Sequence, residues 1–174
     1  GWGEMASLTG NGAPVWLGAS EHTLDEKARV FIPRRFQAGF EQDAEGRTQV
    51  FLTRGFENCL ALYSEAGFAR LLRRLETEAF AGAEARRMQR LFFSNAHRTL
   101  LDGSGRLLVP ENLRAQAGIE RDVVLLGLVD RVELWAKSAW GAFESRSAAD
   151  FDSLDRVLSG PERVAPDGVQ EPSD

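Results

Sequence analysis

Many of the apolar residues in this chain come in short runs closed by turn residues. Val30, Phe31 and Ile32 lie between a charged turn and Pro33, and Leu107, Leu108 and Val109 precede Pro110 in the same way. Short apolar runs bounded like this predict buried strands. Each proline then stops its strand and can occupy the first turn of a helix, PRRFQAGF in one place and PENLRAQAGI in the other, with glycine near each end. QVFLTRGFENCLALY and DVVLLGLVDRVELW each predict two strands around a polar turn. Ser64 and Ser138 stand where helix caps are expected, and Phe68, Leu71, Leu72 and Leu75 follow at helical spacing. Residues 79–93 predict a linking helix with Met88, Leu91 and Phe92 inward and Arg86, Arg87 and Arg90 outward, and Gly82 as a point of interruption. Phe143, Phe151, Leu154 and Leu158 share one side of a final helix, and SGPERVAPDGVQEPSD after it is expected to be mobile.

The pattern is written twice. Leu24, Asp25, Arg29 and Pro33 return 77 positions later as Leu101, Asp102, Arg106 and Pro110, with apolar residues at matching places between them. At a spacing of 72, Leu52, Gly55, Asn58, Leu60, Leu62, Tyr63 and Phe68 match Val124, Gly127, Asp130, Val132, Leu134, Trp135 and Trp140. The change of spacing puts extra loop residues in the first copy, within GFEQDAEGRTQ. Each copy reads as strand, short helix, two strands and a longer helix. Neither is large enough to enclose a good core alone, so the two are expected to pack on each other about a pseudo-two-fold axis. The fold class is therefore α+β, a β-rich core of two tandem repeats with peripheral helices.

Composition narrows the function. A chain of 174 residues that is 43% hydrophobic can bury one sizeable core or two small coupled ones. No apolar run approaches the roughly 18 residues of a membrane span, and the first 14 residues carry neither period nor signal-peptide pattern, so a soluble, intracellular protein with an unpatterned N-terminal extension is expected. The single cysteine, Cys59, reads as a packed apolar residue. His22 and His97 occupy unmatched places with no second ligand at metal spacing, so neither metal nor cofactor is expected. The net charge of −5 is concentrated in the tail: residues 141–174 hold 8 of the 26 acids and 3 of the 21 Lys and Arg, leaving 18 of each before it. Around the first copy's turn, Lys27, Arg29, Arg34 and Arg35 face only Asp25 and Glu26, so that stretch is locally basic. No Gly-rich phosphate loop, nucleophile-base motif or paired carboxylates point to an enzyme, and no small-molecule substrate is expected.

The two Asp-x-x-x-Arg signatures, Asp25 to Arg29 and Asp102 to Arg106, lie within VWLGASEHTLDEKARVFIP, LTRGFENCLALY, RRMQRLFFSNA and DRVELWAKSAW. Together these segments resemble the MraZ family of transcriptional regulators, over residues 16 to about 140. The resemblance implies two tandem AbrB-like swapped-hairpin repeats. It also implies a repressor that binds direct repeats in double-stranded DNA upstream of its own operon, the bacterial cell-division and cell-wall cluster. That regulator would be a closed-ring homo-oligomer in the cytoplasm, associated with the nucleoid. On this reading the chain divides into an extension (1–14), a first repeat (15–78), a linking helix (79–97), a second repeat (98–142), and a C-terminal helix with an acidic tail (143–174).

Lys27 and Arg29 project from a turn held between two strands, where they can meet phosphates or guanine edges at small ordering cost. Asp25 either pairs with Arg29 in a fork or caps the turn, and Arg34 and Arg35 at the next helix start suit phosphates. In the second copy Lys27 becomes Ser104, and Arg34 and Arg35 become Glu111 and Asn112. Arg106 is then a DNA contact, a structural residue, or part of the interface between units, and Asp102 is the matching structural acid. An Asp and an Arg four apart around a turn are first of all a fold-shaping salt bridge, and Asp25 can be structural while Arg29 is exposed. Arg86, Arg87 and Arg90 read as a solvated face or subunit contact, and Tyr63, Phe68, Trp135 and Trp140 as core. The competing class is a ring-forming assembly protein that does not bind DNA.

Overall fold

The computed structural model describes residues 15–77 and 82–160; the N-terminal extension, the stretch just before Gly82 and the acidic tail past Gly160 lie outside the described residues. Within that range residues 15–141 form one compact unit and 142–160 another.

In the first unit, copy one supplies β1 (Trp16–Thr23), β2 (Arg29–Phe31), α1 (Arg34–Gln37), β3 (Gln49–Arg54), β4 (Leu60–Tyr63) and α2 (Glu65–Thr77). After α3 (Ala83–Phe93), copy two supplies β5 (His97–Leu100), β6 (Arg106–Leu108), α4 (Glu111–Gln116), β7 (Asp122–Val129), β8 (Val132–Ala136) and the start of α5 (Lys137–Ser147), which runs on past Gly141. Six strands form one sheet in the order β1-β7-β8-β4-β3-β5, and β2 pairs with β6 in a separate antiparallel ribbon. The outer strand of each copy thus joins the sheet beside a strand of the other copy, β1 on β7 and β5 on β3. Exchanging the copies leaves both sheets unchanged. The axis of that exchange runs between Ala61 and Glu133 in the large sheet and between Val30 and Leu107 in the ribbon.

One cluster of buried side chains fills the space between ribbon and sheet. Val30, Ile32, Leu107 and Val109 come from the ribbon region, Phe36 and Leu113 from the two short helices, and Val50, Leu52, Leu60, Leu62, Val123, Leu125, Val132 and Leu134 from the sheet. Each such fully buried side chain contributes about 1.5–3 kcal/mol by leaving water. Because both copies line one core, neither has a core of its own. Pro33 and Pro110 have extended backbone and immediately precede α1 and α4, which they start without losing a needed N–H. Cys59 is fully buried, its Sγ donates to the Phe56 carbonyl, and burial pushes its thiol pKa up.

The structure departs from the sequence pattern at four places. Leu52 lies opposite Leu62, whereas the residue opposite Leu134 is Leu125 and not Val124. The copies therefore correspond at a spacing of 73 through β3 and β7, because the turn from Gly55 to Cys59 has one residue more than that from Leu128 to Arg131. Val124 and Leu125 are both buried, so the register is defined by the backbone pairing of β7 with β8 and not by burial alone. Ser64 does cap α2, its Oγ accepting the Gly67 N–H at 3.0 Å, but α5 begins at Lys137 and leaves Ser138 exposed inside its first turn. Met88 and Leu91 are about half exposed on α3; Phe92 alone of the three faces inward, 6.4 Å from the Phe68 ring. The final helix is broken: a 3-10 segment (Ala148–Ser153) follows α5 and leads to α6 (Leu154–Ser159), with Phe151, Leu154 and Leu158 exposed.

Candidate nucleic-acid interface

The turn between β1 and β2 is organised by one carboxylate. Asp25 Oδ1 accepts the backbone N–H groups of Lys27 at 3.0 Å and Arg29 at 2.9 Å, and Asp25 Oδ2 accepts Arg29 Nε at 2.8 Å. The Asp25 and Arg29 backbones close the turn at 2.9 Å, and Ala28 takes a φ of 59°. Asp25 is thus both cap and ion-pair partner. Asp102 repeats every bond in the second copy: Oδ1 accepts from the N–H of Ser104 at 2.9 Å and of Arg106 at 3.0 Å, and Oδ2 accepts Arg106 Nε at 2.8 Å. There the left-handed position is held by Gly105, at a φ of 77°.

The pseudo-two-fold couples the two turns. Arg29 Nη1 is 3.7 Å from Asp102, and Arg106 Nη1 is 3.6 Å from Asp25. Two carboxylates and two guanidiniums therefore form a closed, charge-balanced ring, each member about one-third exposed or less, except that Arg106 is marginally more open. Ion pairs this accessible are weakened by water and salt, and their main effect is to fix where the guanidiniums point. The carboxyls of Asp25 and Asp102 are held below their ordinary value chiefly by the backbone N–H groups of Arg29 and Arg106, against a partial desolvation that acts the other way.

The other predicted cations belong to the first copy only, Lys27 in the turn before β2 and Arg34 and Arg35 on α1. Lys27 and Arg34 are exposed and their side chains make no hydrogen bond or ion pair among the described residues. Arg35 is also exposed, but its Nη2 donates to the Ala19 carbonyl at 2.9 Å and its guanidinium lies 4.7 Å from the centre of the Phe36 ring. His22 lies close enough to Arg35 to feel its charge; burial first and that charge second lower its pKa. At the matching places of copy two, Ser104, Glu111 and Asn112 are exposed, and Asn112 bonds Asn95 at 3.4 Å. Among the described residues no group of three or more His, Cys, Asp or Glu is placed to hold a metal, and no helix is long and apolar enough to cross a membrane.

A third turn of this kind was missed in the sequence. Asp43 Oδ1 accepts from the N–H of Glu45 at 3.0 Å and of Arg47 at 2.8 Å, and Oδ2 accepts Arg47 Nε at 2.8 Å. Gly46 supplies the positive φ. Its signal was legible: Asp43-Ala-Glu-Gly-Arg47 matches Asp102-Gly-Ser-Gly-Arg106 at Asp, Gly and Arg. This copy lies in the loop before β3, and among the described residues Arg47 forms ion pairs only with Asp43 and Glu45. The five-residue phrase is therefore a turn-former in its own right. What distinguishes the other two is their position face to face across the ribbon.

A chain in which two copies exchange outer strands around a shared ribbon is a duplicated swapped-hairpin protein. The model of the family described as "MraZ protein, putative antitoxin-like" matches it twice, over residues 15–91 and 92–158. Relatives named Transcriptional regulator MraZ include those of Desulforamulus reducens, 33% identical over 80% of this chain and 94% of the relative, and Moorella thermoacetica, 35% identical over the same shares. That of Heliobacterium modesticaldum is 34% identical over 83% of this chain and 96% of its own length. The chain belongs to the MraZ family, whose relatives here are transcriptional regulators and not enzymes.

Proposed function

We propose that this protein is a DNA-binding transcriptional repressor that recognises direct repeats upstream of its own operon, the cell-division and cell-wall cluster, and acts in the cytoplasm at the nucleoid. The observation that carries the reading is the unequal charge at pseudo-symmetric positions. Lys27, Arg34 and Arg35 flank the ribbon in copy one, where copy two has Ser104, Glu111 and Asn112. The fold requires no such difference, since Asp25 and Asp102 build the same turn in both. Lys27 and Arg34, exposed and without a side-chain partner among the described residues, suit phosphates, whose contacts fix register and supply most of the affinity. Arg29 and its pseudo-two-fold equivalent Arg106 are each held by two carboxylates and are the candidates for base edges.

Assembly into a closed ring is part of the same proposal. It is supported by Met88 and Leu91, three residues apart on one side of α3 and 50% and 48% exposed, a surface for a neighbouring copy to cover. A ring presents several first-copy turns to successive repeats, so modest affinity per subunit suffices at high effective concentration. The test is a titration of the DNA upstream of this protein's own gene at stated salt, with Lys27→Ala and Arg34→Ala combined. The variant is expected to bind more weakly, with the salt dependence of log K reduced by about 0.9 for each phosphate that the protein no longer neutralises. No binding by the wild type while light scattering shows an intact oligomer would favour an assembly protein that does not bind DNA, and unchanged affinity in the variant would remove Lys27 and Arg34 from the interface.

A further inference from the structure

The ribbon of β2 and β6 has two unlike faces. Val30 and Leu107 point inward and expose no surface. Side chains alternate along a strand, so Arg29 and Phe31 point the other way from β2, and Arg106 and Leu108 from β6. The register sets Arg29 opposite Leu108 and Phe31 opposite Arg106. The outward face is therefore a two-by-two checkerboard of arginine and apolar side chains, repeated by the pseudo-two-fold. Phe31 is 42% and Leu108 54% exposed. A single exposed apolar residue means little. Here two occupy equivalent positions, each across from an arginine anchored by carboxylates, and the His22 ring packs 6.1 Å from Phe31.

Neighbouring strands lie about 4.8 Å apart, so a two-stranded ribbon fits a major groove about 12 Å wide. In that groove an arginine fork matches guanine, and an apolar side chain matches the C5 methyl of thymine. We infer that this face enters the major groove, and that Phe31 and Leu108 are specificity residues that contact thymine methyl groups beside the bases met by Arg29 and Arg106. The inference rests on the DNA-binding reading above and adds the chemistry of what is read. The charge balance fits that division of labour. Asp25 and Asp102 neutralise the ring, so the checkerboard gains little from general attraction to phosphate and discriminates by shape, while Lys27 and Arg34 supply the attraction.

The experiment compares the natural upstream DNA with the same duplex carrying deoxyuridine for thymine, which removes only the C5 methyl groups. The wild-type protein is expected to lose about fourfold in affinity for each methyl it buries. Phe31→Ala and Leu108→Ala should bind the thymine duplex more weakly by a similar factor and discriminate less between the duplexes. Phe31→Leu should keep much of the discrimination. Thermal unfolding confirms that each variant is folded. Equal binding of both duplexes by the wild type, or full discrimination by the alanine variants, overturns the inference. So does a change in oligomer size in those variants without loss of discrimination, which assigns the face to contacts between copies. If the wild type prefers neither duplex to unrelated DNA, the DNA-binding reading itself fails, and the inference with it.

Discussion

Val30 and Leu107 lie opposite each other in the ribbon, both without exposed surface, and the pseudo-two-fold passes between them. Each copy places one strand residue at the centre of a core that both share. Leu107→Ala should therefore weaken the whole first unit, by about 2–5 kcal/mol for a leucine truncated in a closed core. Urea unfolding followed by fluorescence and by circular dichroism should still give one coincident transition, at lower urea. Two separate transitions would mean that the copies fold independently.

Strand exchange also depends on Gly127. A Cβ there would stand 2.5 Å from the Leu17 backbone nitrogen and 2.7 Å from the Trp16 carbonyl carbon, atoms of β1 that cannot move aside singly. Gly127→Ala should lift β1 from β7 and cost about 1–3 kcal/mol, the usual range for overpacking. Hydrogen exchange is the direct measurement, with faster exchange expected along residues 16–23 and little change in the β4–β8 pairing.

The charge ring predicts an acid limit to stability. Asp25 and Asp102 have carboxyl pKa values lowered by donated N–H groups, chiefly those of Arg29 and Arg106. A carboxylate whose folded-state pKa is lowered contributes stability that is complete above its unfolded value, here 3.8, and is lost as pH falls through the folded value. The melting temperature should hold down to about pH 4 and then fall. Asp102→Asn should lower it at neutral pH and flatten the acid limb, so that variant and wild type converge at low pH. Asp43, lowered by the same kind of bonds from Arg47, should give a similar flattening in Asp43→Asn while operator affinity is unchanged. Loss of operator binding in Asp43→Asn would place the third turn on the DNA as well.

Much of this architecture could be read from the chain because the repeat is carried by residues that shape backbone. Asp25, Arg29 and Pro33 recur with their partners at one spacing, and each is needed to make a turn or start a helix. The slip between Leu52 and Leu125 was not legible, since Val124 and Leu125 are both apolar and both buried, and only the hydrogen-bond register separates them. Ser138 misled for a related reason: a cap is defined by where the preceding strand ends, and β8 runs to Ala136. Met88 and Leu91 follow a helical stripe that normally marks a core, but among the described residues they are left half exposed on the outer side of α3. The crossed pairs between Arg29 and Asp102 and between Arg106 and Asp25 join residues more than 70 positions apart. No local pattern encodes them, and they appear only when the ribbon brings the two turns together.

If charge asymmetry decides which copy meets phosphate, it should be transferable. Ser104, Glu111 and Asn112 are exposed and occupy the places of Lys27, Arg34 and Arg35. Ser104→Lys with Glu111→Arg adds two cations and removes one anion without touching the bonds from Asp102 Oδ1, which use only the Ser104 backbone. The double variant should bind DNA of any sequence more tightly, and its log K should depend more steeply on log salt by about 0.9 for each further phosphate neutralised. Specificity for the natural upstream DNA over unrelated DNA should fall, because the added attraction carries no base information. An unchanged salt slope would show that the second copy faces away from the duplex, and that the first copy's cations act by their place in the assembly rather than by local charge alone.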